Sequence, residues 1–344
     1  MSQVVSTFPR GQLFTRSMIL KGIGITCESD ALAKASARWG AYQGAAVTKA
    51  AVATLTTDDF GDTAANEFFD LVRERSLLGR LTGLRQVPFR VKMLSMADGT
   101  TGYWTAEGAS RPLSKPSLQG SALSPLKLTV TIVETEEAIT SAGRAAEIAL
   151  QRDMERALID AMDAAFIDAA NAGVPGEKPA AVTFGAPSVA STGSSADAMR
   201  SDIANLFELF DGDLSSAFAI TDARTAVQMG LMANSGNLVS ADVGARGGSL
   251  LGVPLLVTRG SPRDSNGGQI ALLDASAIAF GLDGFLMKRT MDATLAMSDT
   301  PESEGVLFSL WQLNLVGFGA EIPANWQVQR DGSVALLTDV AWGA

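Results

Sequence analysis

The chain has 344 residues, no histidine, one cysteine and a formal charge of −10. Without histidine, Ser-His-Asp and Cys-His catalysis, H-E-x-x-H sites and His-ligated zinc are excluded; with one cysteine, so are internal disulfides, C-x-x-C pairs and cysteine zinc clusters. The basic residues are scattered, with Lys288-Arg289 among the densest pairs, whereas a dedicated nucleic-acid binder needs a Lys and Arg stripe to displace phosphate counterions.

Met1 to Arg16 lacks the apolar core of a signal peptide, and no stretch approaches ~20 uncharged apolar residues, so neither export nor a membrane span is expected. Cys27 reads as a small buried apolar residue. Glu28-Ser29-Asp30 is a plausible cap for the alanine-rich stretch to Ala53, which predicts one or two helices. Thr54 to Asp62 has the composition of a connector. Asn66 to Leu78, with Phe68, Leu71 and Val72 on one face, predicts an amphipathic helix.

Two strand signals follow. Val87, Phe89, Val91 and Met93 alternate with Pro88, Arg90 and Lys92, and Leu126, Leu128, Val130 and Ile132 alternate with Lys127, Thr129 and Thr131. The Gly-, Ser-, Thr- and Pro-rich stretch between them exceeds the ~12–15 residues of an ordinary unstructured connection. It must be a lid, a disordered segment or an arm. Tyr103, Trp104, Leu113, Leu118 and Leu123 are too apolar for a tether and too sparse for a core, which favours an arm laid on another surface. A lid would need an active site beneath it, and none is evident.

The strongest helix signal runs from Ser141 to about Asn171-Ala172-Gly173, with Ile148, Leu158, Met162 and Phe166 on the apolar face and Gly173 and Pro175 as stops. A helix of about thirty residues would span ~45 Å, longer than a compact domain needs. Pro175 to Ser195 has linker composition. Beyond it a mixed lobe is predicted: helices at Met199–Phe210 and Arg224–Ala233, and strands at Ala217–Thr221, Val253–Val257 and Ile270–Leu273. Val306 to Gly319 is an apolar run assigned to strand, and Val334 to Val340 is one more.

No constellation carries catalysis. Gly22-Ile23-Gly24 and Gly244 to Gly248 are fragments of phosphate-binding patterns, explained by turns and flexible loops. Glu134, Glu136 and Glu137 at a strand exit read as solvated carboxylates rather than an acid–base pair. Asp211-Gly212-Asp213 lacks the other ligands of a calcium loop. Ser114-Lys115 is a nucleophile pairing without a motif around it.

The stretch Gly102-Tyr103-Trp104-Thr105-Ala106-Glu107-Gly108-Ala109-Ser110-Arg111-Pro112, followed by Leu126-Lys127-Leu128 to Glu136, resembles the extended-loop segment of tailed-bacteriophage major capsid proteins. As in that family, it follows a strand and precedes a long helix, and Leu32 to Thr57 with Trp39 resembles the N-terminal region of prophage members. The resemblance covers nearly the whole chain and rests on architecture plus this one segment. It implies an α+β fold of the Hong Kong 97 type. The implied parts are an N-terminal arm or helical region (1–57), a peripheral domain (58–92, 126–195 and 299–330) with a spine helix at about 142–172, an extended loop forming a β-hairpin (93–125), and an axial α/β domain (196–298 and 331–344).

The same resemblance implies a non-enzymatic shell protein without cofactor or metal, assembling into pentamers and hexamers of itself in the host cytoplasm and residing in the virion. Its implied partners are a portal, a scaffold or prohead protease, decoration proteins, and packaged double-stranded DNA bound without specificity. Tyr103, Trp104, Glu107, Arg111 and Leu113 are the implied intersubunit contacts. Lys115 with Asn314, Asn325 and Glu321 are candidates for the covalent cross-link that some members form. An encapsulin-type compartment shares the fold, and a lidded cytosolic hydrolase is the enzyme alternative.

Overall fold

Small residues let the first helices pack closely. In the computed structural model, which describes residues 8–9, 11–23, 27–52, 62–96, 103–107, 118–141, 144–234, 241–297 and 306–343, Glu28–Trp39 and Ala41–Val52 are two helices divided at Gly40. Gly40 has φ +85°, which a side chain would strain. Ala31, Ala35, Val47 and Ala51 form a cluster with Phe8 and Leu20, the last from the helix Gln12–Gly22. A Cβ on Gly44 would lie 2.6 Å from the Ser36 nitrogen, so glycine is required where these backbones meet. Buried Arg16 is accommodated by a bond to Gln43 Oε1 (2.7 Å) and by the rings of Phe8 and Trp39, each 5.5 Å from its guanidinium. Cys27 corrects the expectation made for it: it is exposed, at the cap of Glu28–Trp39, with Sγ 3.1 Å from Ser29 Oγ.

The chain divides into two compact units. The first comprises Met1–Arg75, Leu128–Ile159 and Gly284–Ile322. The predicted amphipathic helix is Asp62–Arg75. Its Phe68 stacks on Phe14 at 4.6 Å, and Phe285 closes the trio at 5.6 Å from each ring. Glu136 and Glu137 open a short helix, Glu136–Ser141, where carboxylates favour the N-terminal dipole, and Arg38 donates to its Ile139 and Thr140 carbonyls. The expected single strand at Val306 to Gly319 is interrupted. Val306–Ser309 pairs with Thr294–Met297 as a ribbon, residues 310–314 turn, and Leu315–Val328 begins a long strand whose Gly317–Glu321 pairs with Leu286–Thr290. The break sits at Asn314, where a left-handed φ of +52° closes the turn.

The second unit comprises Ser76–Lys127, Asp160–Asp283 and Pro323–Ala344. Its main sheet has the order Ser188–Ala190, Val334–Val340, Gly268–Asp274, Ala217–Thr221, Val253–Val257, Gly247–Leu250, Ala241–Gly244. Ala217–Thr221 and Gly268–Asp274 are buried along their whole length, the reason they appear in sequence as unbroken apolar runs. The helices Ala196–Leu209 and Ala223–Asn234 contribute Met199, Ile203, Leu206 and Met229 to the core with Leu272, Leu337 and Trp342. The glycines at 244–248 form a hairpin turn: a Cβ on Gly248 would lie 1.8 Å from the Asp242 oxygen.

Two expected boundaries move. The long helix is Arg144–Ile167, ending before Asn171. Its last carbonyls are taken by side chains, Ala165 by Asn171 Nδ2 (2.8 Å) and Ile167 by Thr183 Oγ1 (2.9 Å) and Gln269 Nε2 (2.7 Å). The stretch from Pro175 to Ser195 is folded rather than a free linker. Val182 N–H bonds the Phe166 carbonyl, and Ser188–Ala190 runs parallel to Val334–Val340.

Candidate functional site

The described ends of the segment expected to form the arm are built from paired strands. Arg85–Gln86 runs parallel to Ile278–Leu282, and Val87 N–H continues the pairing to the Phe280 carbonyl at 2.8 Å. The alternating stretch Val87 to Met93 was expected to be one strand, but Phe89-Arg90 turns it, with Arg90 at φ +63° and its N–H on the Leu123 carbonyl (2.8 Å). The turn sets the Phe89 ring on bare backbone, since a Cβ on Gly281 would lie 2.6 Å from that ring. Beyond it Lys92–Met96 pairs antiparallel with Leu118–Ala122. Val87, Met93, Leu123 and Ala279 bury one another at the base.

Asn325, one of the cross-link candidates, is already committed here: its Nδ2 donates to the Ser124 carbonyl at 2.7 Å and its Oδ1 accepts from Trp326 N–H. Trp326 is fixed in turn by an edge contact with Phe166 and a bond to the Ala180 carbonyl.

From these paired strands the chain reaches Tyr103, Trp104 and Glu107, all exposed, with Trp104 wholly in solvent. Arg111, Leu113 and Lys115 lie outside the described residues. Asn314 is exposed in the turn at 310–314, and its carbonyl accepts from Glu136 N–H at 3.0 Å. Glu321 is partly buried on the strand Leu315–Val328. Six strand residues lie between Asn314 and Glu321, seven steps of ~3.3 Å or roughly 23 Å, so one copy does not bring these two together. Trp311 and Leu313 in this turn, and Leu307 on the strand before it, are exposed, although Val306 to Gly319 was expected to be one apolar strand. The available signal was the polar pair Gln312 and Asn314 inside that run.

The buried carboxylates serve the scaffold. Asp163 on the long helix accepts from Leu77 N–H (2.8 Å) and Thr258 Oγ1 (2.7 Å), tying three segments of the second unit. Burial pushes its pKa up to about 6, against the pull of those bonds and of Arg80. An acid whose folded pKa is raised contributes most below its unfolded value and loses that contribution as pH rises through about 4 to 6. Asp163→Asn is expected to remove a pH-dependent loss of about 3 kcal/mol, to order of magnitude, in urea unfolding between pH 4 and 7. An unchanged pH slope in the variant would refute the assignment.

Asp274 is also buried, which disfavours its charge, but bonds from Ser216, Ser276 and Asp213 N–H outweigh this and hold its carboxyl below the usual range. Arg330 pairs with it.

An open cavity of about 760 Å³ lies at the arm's root, lined by Val87, Pro88, Phe89, Arg90, Pro125 and Leu282 among others. Neither Asp163 nor Asp274 is among the residues that line it. Among the described residues no cluster of three or more His, Cys, Asp or Glu could hold a metal, and no helix is long and apolar enough to cross a membrane.

Comparison with known proteins agrees with this architecture. A capsid polyprotein of Pseudomonas phage PAJU2 is 36% identical over 321 residues, covering 87% of this chain and 48% of that protein. The chain therefore spans about half the length of the curated relative it matches. Among solved structures, the capsid of a native GTA particle has a TM-score of 0.52 at 15% identity, covering 77% of this chain and 89% of that one. A structure from Microbacterium phage Oxtober96 gives 0.52 at 18%, covering 75% and 90%, and one from Mycobacterium phage Cain gives 0.51 at 16%, covering 76% and 90%. These likenesses show the fold, the Hong Kong 97 type that the order of parts implied. The profile of the phage capsid family matches residues 62–339, from the first amphipathic helix to the last strand of the sheet, and the chain belongs to that family.

Proposed function

We propose that this chain is a major capsid protein whose copies form pentamers and hexamers and close an icosahedral head around double-stranded DNA. The observation that carries this reading is the family match across 62–339. The geometry supports it: exposed Tyr103 and Trp104, between strands that pair with each other, belong on a neighbouring subunit. Many modest contacts linked in one closed shell give avidity that no single contact supplies. The acidic chain encloses DNA without condensing it, since its charge repels phosphate. Assembly takes place in the host cytoplasm, with a portal and a scaffold or prohead protease as partners and decoration proteins on the finished head. Residues 93–125 act as the extended loop, 142–172 as the spine, and 196–298 with 331–344 as the axial domain. Nothing in the site favours the encapsulin or hydrolase alternatives.

The test is negative-stain microscopy with sedimentation, on the chain alone and with a co-expressed scaffold. Shells, or free pentamers and hexamers, are expected; a monomer or dimer under both conditions overturns the reading. Within it, Trp104→Ala should leave thermal unfolding unchanged and raise the concentration needed for assembly roughly 30-fold, the effect of losing a ~2 kcal/mol interfacial anchor. A variant that assembles at the wild-type concentration would show that Trp104 is no anchor.

A further inference from the structure

The region matched by the family profile starts at residue 62, and among the described residues three helices precede it, Gln12–Gly22, Glu28–Trp39 and Ala41–Val52. A stretch outside a shared region is either an addition that can be removed or a working part of this chain's own fold. Packing separates the two, because a removable piece must leave a sound core behind it.

Gln12–Gly22 is not a surface helix. Ten of its eleven residues are buried, Leu13 being the exception. A helix with one partner keeps a wet face; this one has two partners. On one side Leu20 joins Phe8, Ala31, Ala35, Val47 and Ala51, and Arg16 reaches Gln43 Oε1 at 2.7 Å. On the other, Phe14 is 1% exposed, stacked on Phe68 at 4.6 Å and meeting Phe285 edge-on at 5.6 Å.

Both ends of the helix fit the matched region as closely. A Cβ on Gly11 would lie 2.2 Å from Gln151 Nε2 and 3.3 Å from Leu71 Cδ2. One on Gly22 would lie 2.9 Å from Ile139 Cγ2 and 3.4 Å from Phe318 Cζ. The following helix is tied down too, since Arg38 donates to the Thr140 and Ile139 carbonyls at 2.8 and 3.3 Å. Withdrawing Gln12–Gly22 would open a trough about 16 Å long at ~1.5 Å per residue and put Phe68 and Phe285 in water.

We propose that residues 8–52 are a permanent part of the subunit, retained in the closed shell, and that any proteolytic trimming during head assembly stops upstream of Phe8. The shell and the protease belong to the capsid reading, on which the proposal rests; the packing that carries it is a property of one subunit.

The test places a recognition site for a sequence-specific endoprotease between residues 53 and 61 of the full-length chain. The nicked chain is followed by gel filtration and native mass spectrometry. The N-terminal piece is expected to co-elute with the remainder and to leave only in urea. Phe14→Ala should raise the concentration below which the piece dissociates by roughly 100-fold, the effect of losing a buried ring. Tyr42→Ala, at a side chain 74% exposed, should change it by less than about threefold. In shells formed with a co-expressed prohead protease, intact-mass spectrometry should find subunits that still contain Phe8–Val52.

Release of the piece on nicking, with the circular dichroism and melting of the remainder unchanged, overturns the proposal. So does an assembled subunit that begins beyond Val52, or equal retention in the wild-type and Phe14→Ala chains. Failure to form shells under any condition would instead remove the capsid reading, and the nicked chain would still decide whether the segment belongs to the subunit.

Discussion

Trp342→Ala is expected to destabilise the second unit by about 4 kcal/mol, within the ~3–5 kcal/mol range of large aromatic truncations. Trp342 is fully buried and belongs to the cluster that joins Met199 and Ile203 to Leu337 and Val340. Removing the indole leaves a cavity that backbone on several sides keeps open. It also removes a donor from Asp202, whose Oδ2 accepts from the indole N–H at 3.0 Å. Asp202 is itself fully buried, which disfavours its charge, but bonds from Ser191, Trp342 and Thr192 outweigh that and hold its carboxyl below the usual range. The anchor extends one residue further, because Gly343 N–H bonds the Ser194 carbonyl at 3.0 Å. With total stabilities of ~5–15 kcal/mol typical of folded proteins, a loss of this size leaves the unit marginal. Urea unfolding followed by circular dichroism measures it. Trp342→Phe, which keeps most of the packing and loses the N–H, should cost about 1–3 kcal/mol. Equal losses in the two variants would show that the hydrogen bond, and not the volume, carries the contribution.

The second large effect is expected at Gly260. A Cβ there would lie 2.5 Å from the Ala164 nitrogen and 2.6 Å from the Asp163 carbonyl carbon, both backbone atoms of the long helix. No rotamer change relieves such a contact. Gly260 also donates its N–H to Thr258 Oγ1 at 3.1 Å, and that hydroxyl donates to Asp163, so the close approach and the buried carboxylate depend on each other. Gly260→Val must push the 258–260 segment off the helix and stretch both bonds. A loss of about 3 kcal/mol or more is expected, at the upper end of overpacking effects. Gly185→Ala is the comparison: a Cβ there meets nothing within 4 Å, although φ +72° adds strain. It should cost about 1 kcal/mol. If the two variants unfold at the same urea concentration, the close approach is not what demands glycine at 260.

Much of the second unit was legible in the sequence for one physical reason. Ala217–Thr221 and Val253–Val257 agree residue for residue with the strands read from sequence, because central strands are short apolar runs bounded by polar caps and glycine. The helix expected at Met199–Phe210 is Ala196–Leu209, begun three residues earlier by Ser195, whose side chain caps Ala198 N–H. What periodicity does not encode is a sharp change of direction inside an apolar run. The strand expected at Ile270–Leu273 is present within Gly268–Asp274, but Ile278–Leu282 was not read: Asp274 accepts from Ser276 N–H, a turn follows, and the next strand enters a different sheet. The Gly-rich strands at 241–250 were missed because their pairing rests on backbone approach and not on side-chain alternation. Tyr103 and Trp104 stood out because they sit among Gly, Thr and Ser. Trp311 did not, because its neighbours are leucines, and only the left-handed turn at Asn314 decides that it faces solvent.

The order of strands in the main sheet has a consequence for how the subunit is made. Val334–Val340 lies between Ser188–Ala190 and Gly268–Asp274, so among the described residues Ser188–Ala190 has no sheet partner until Leu336–Thr338 has been made. A ribosome adding ~5–20 residues per second needs on the order of 4–14 s to travel from Leu273 to Trp342. For that interval the edge of Gly268–Asp274 is open and the pocket for the indole is empty. The sheet closes only after Val334–Val340 has left the exit tunnel, and a chain cut short before that strand keeps its sheet unfinished.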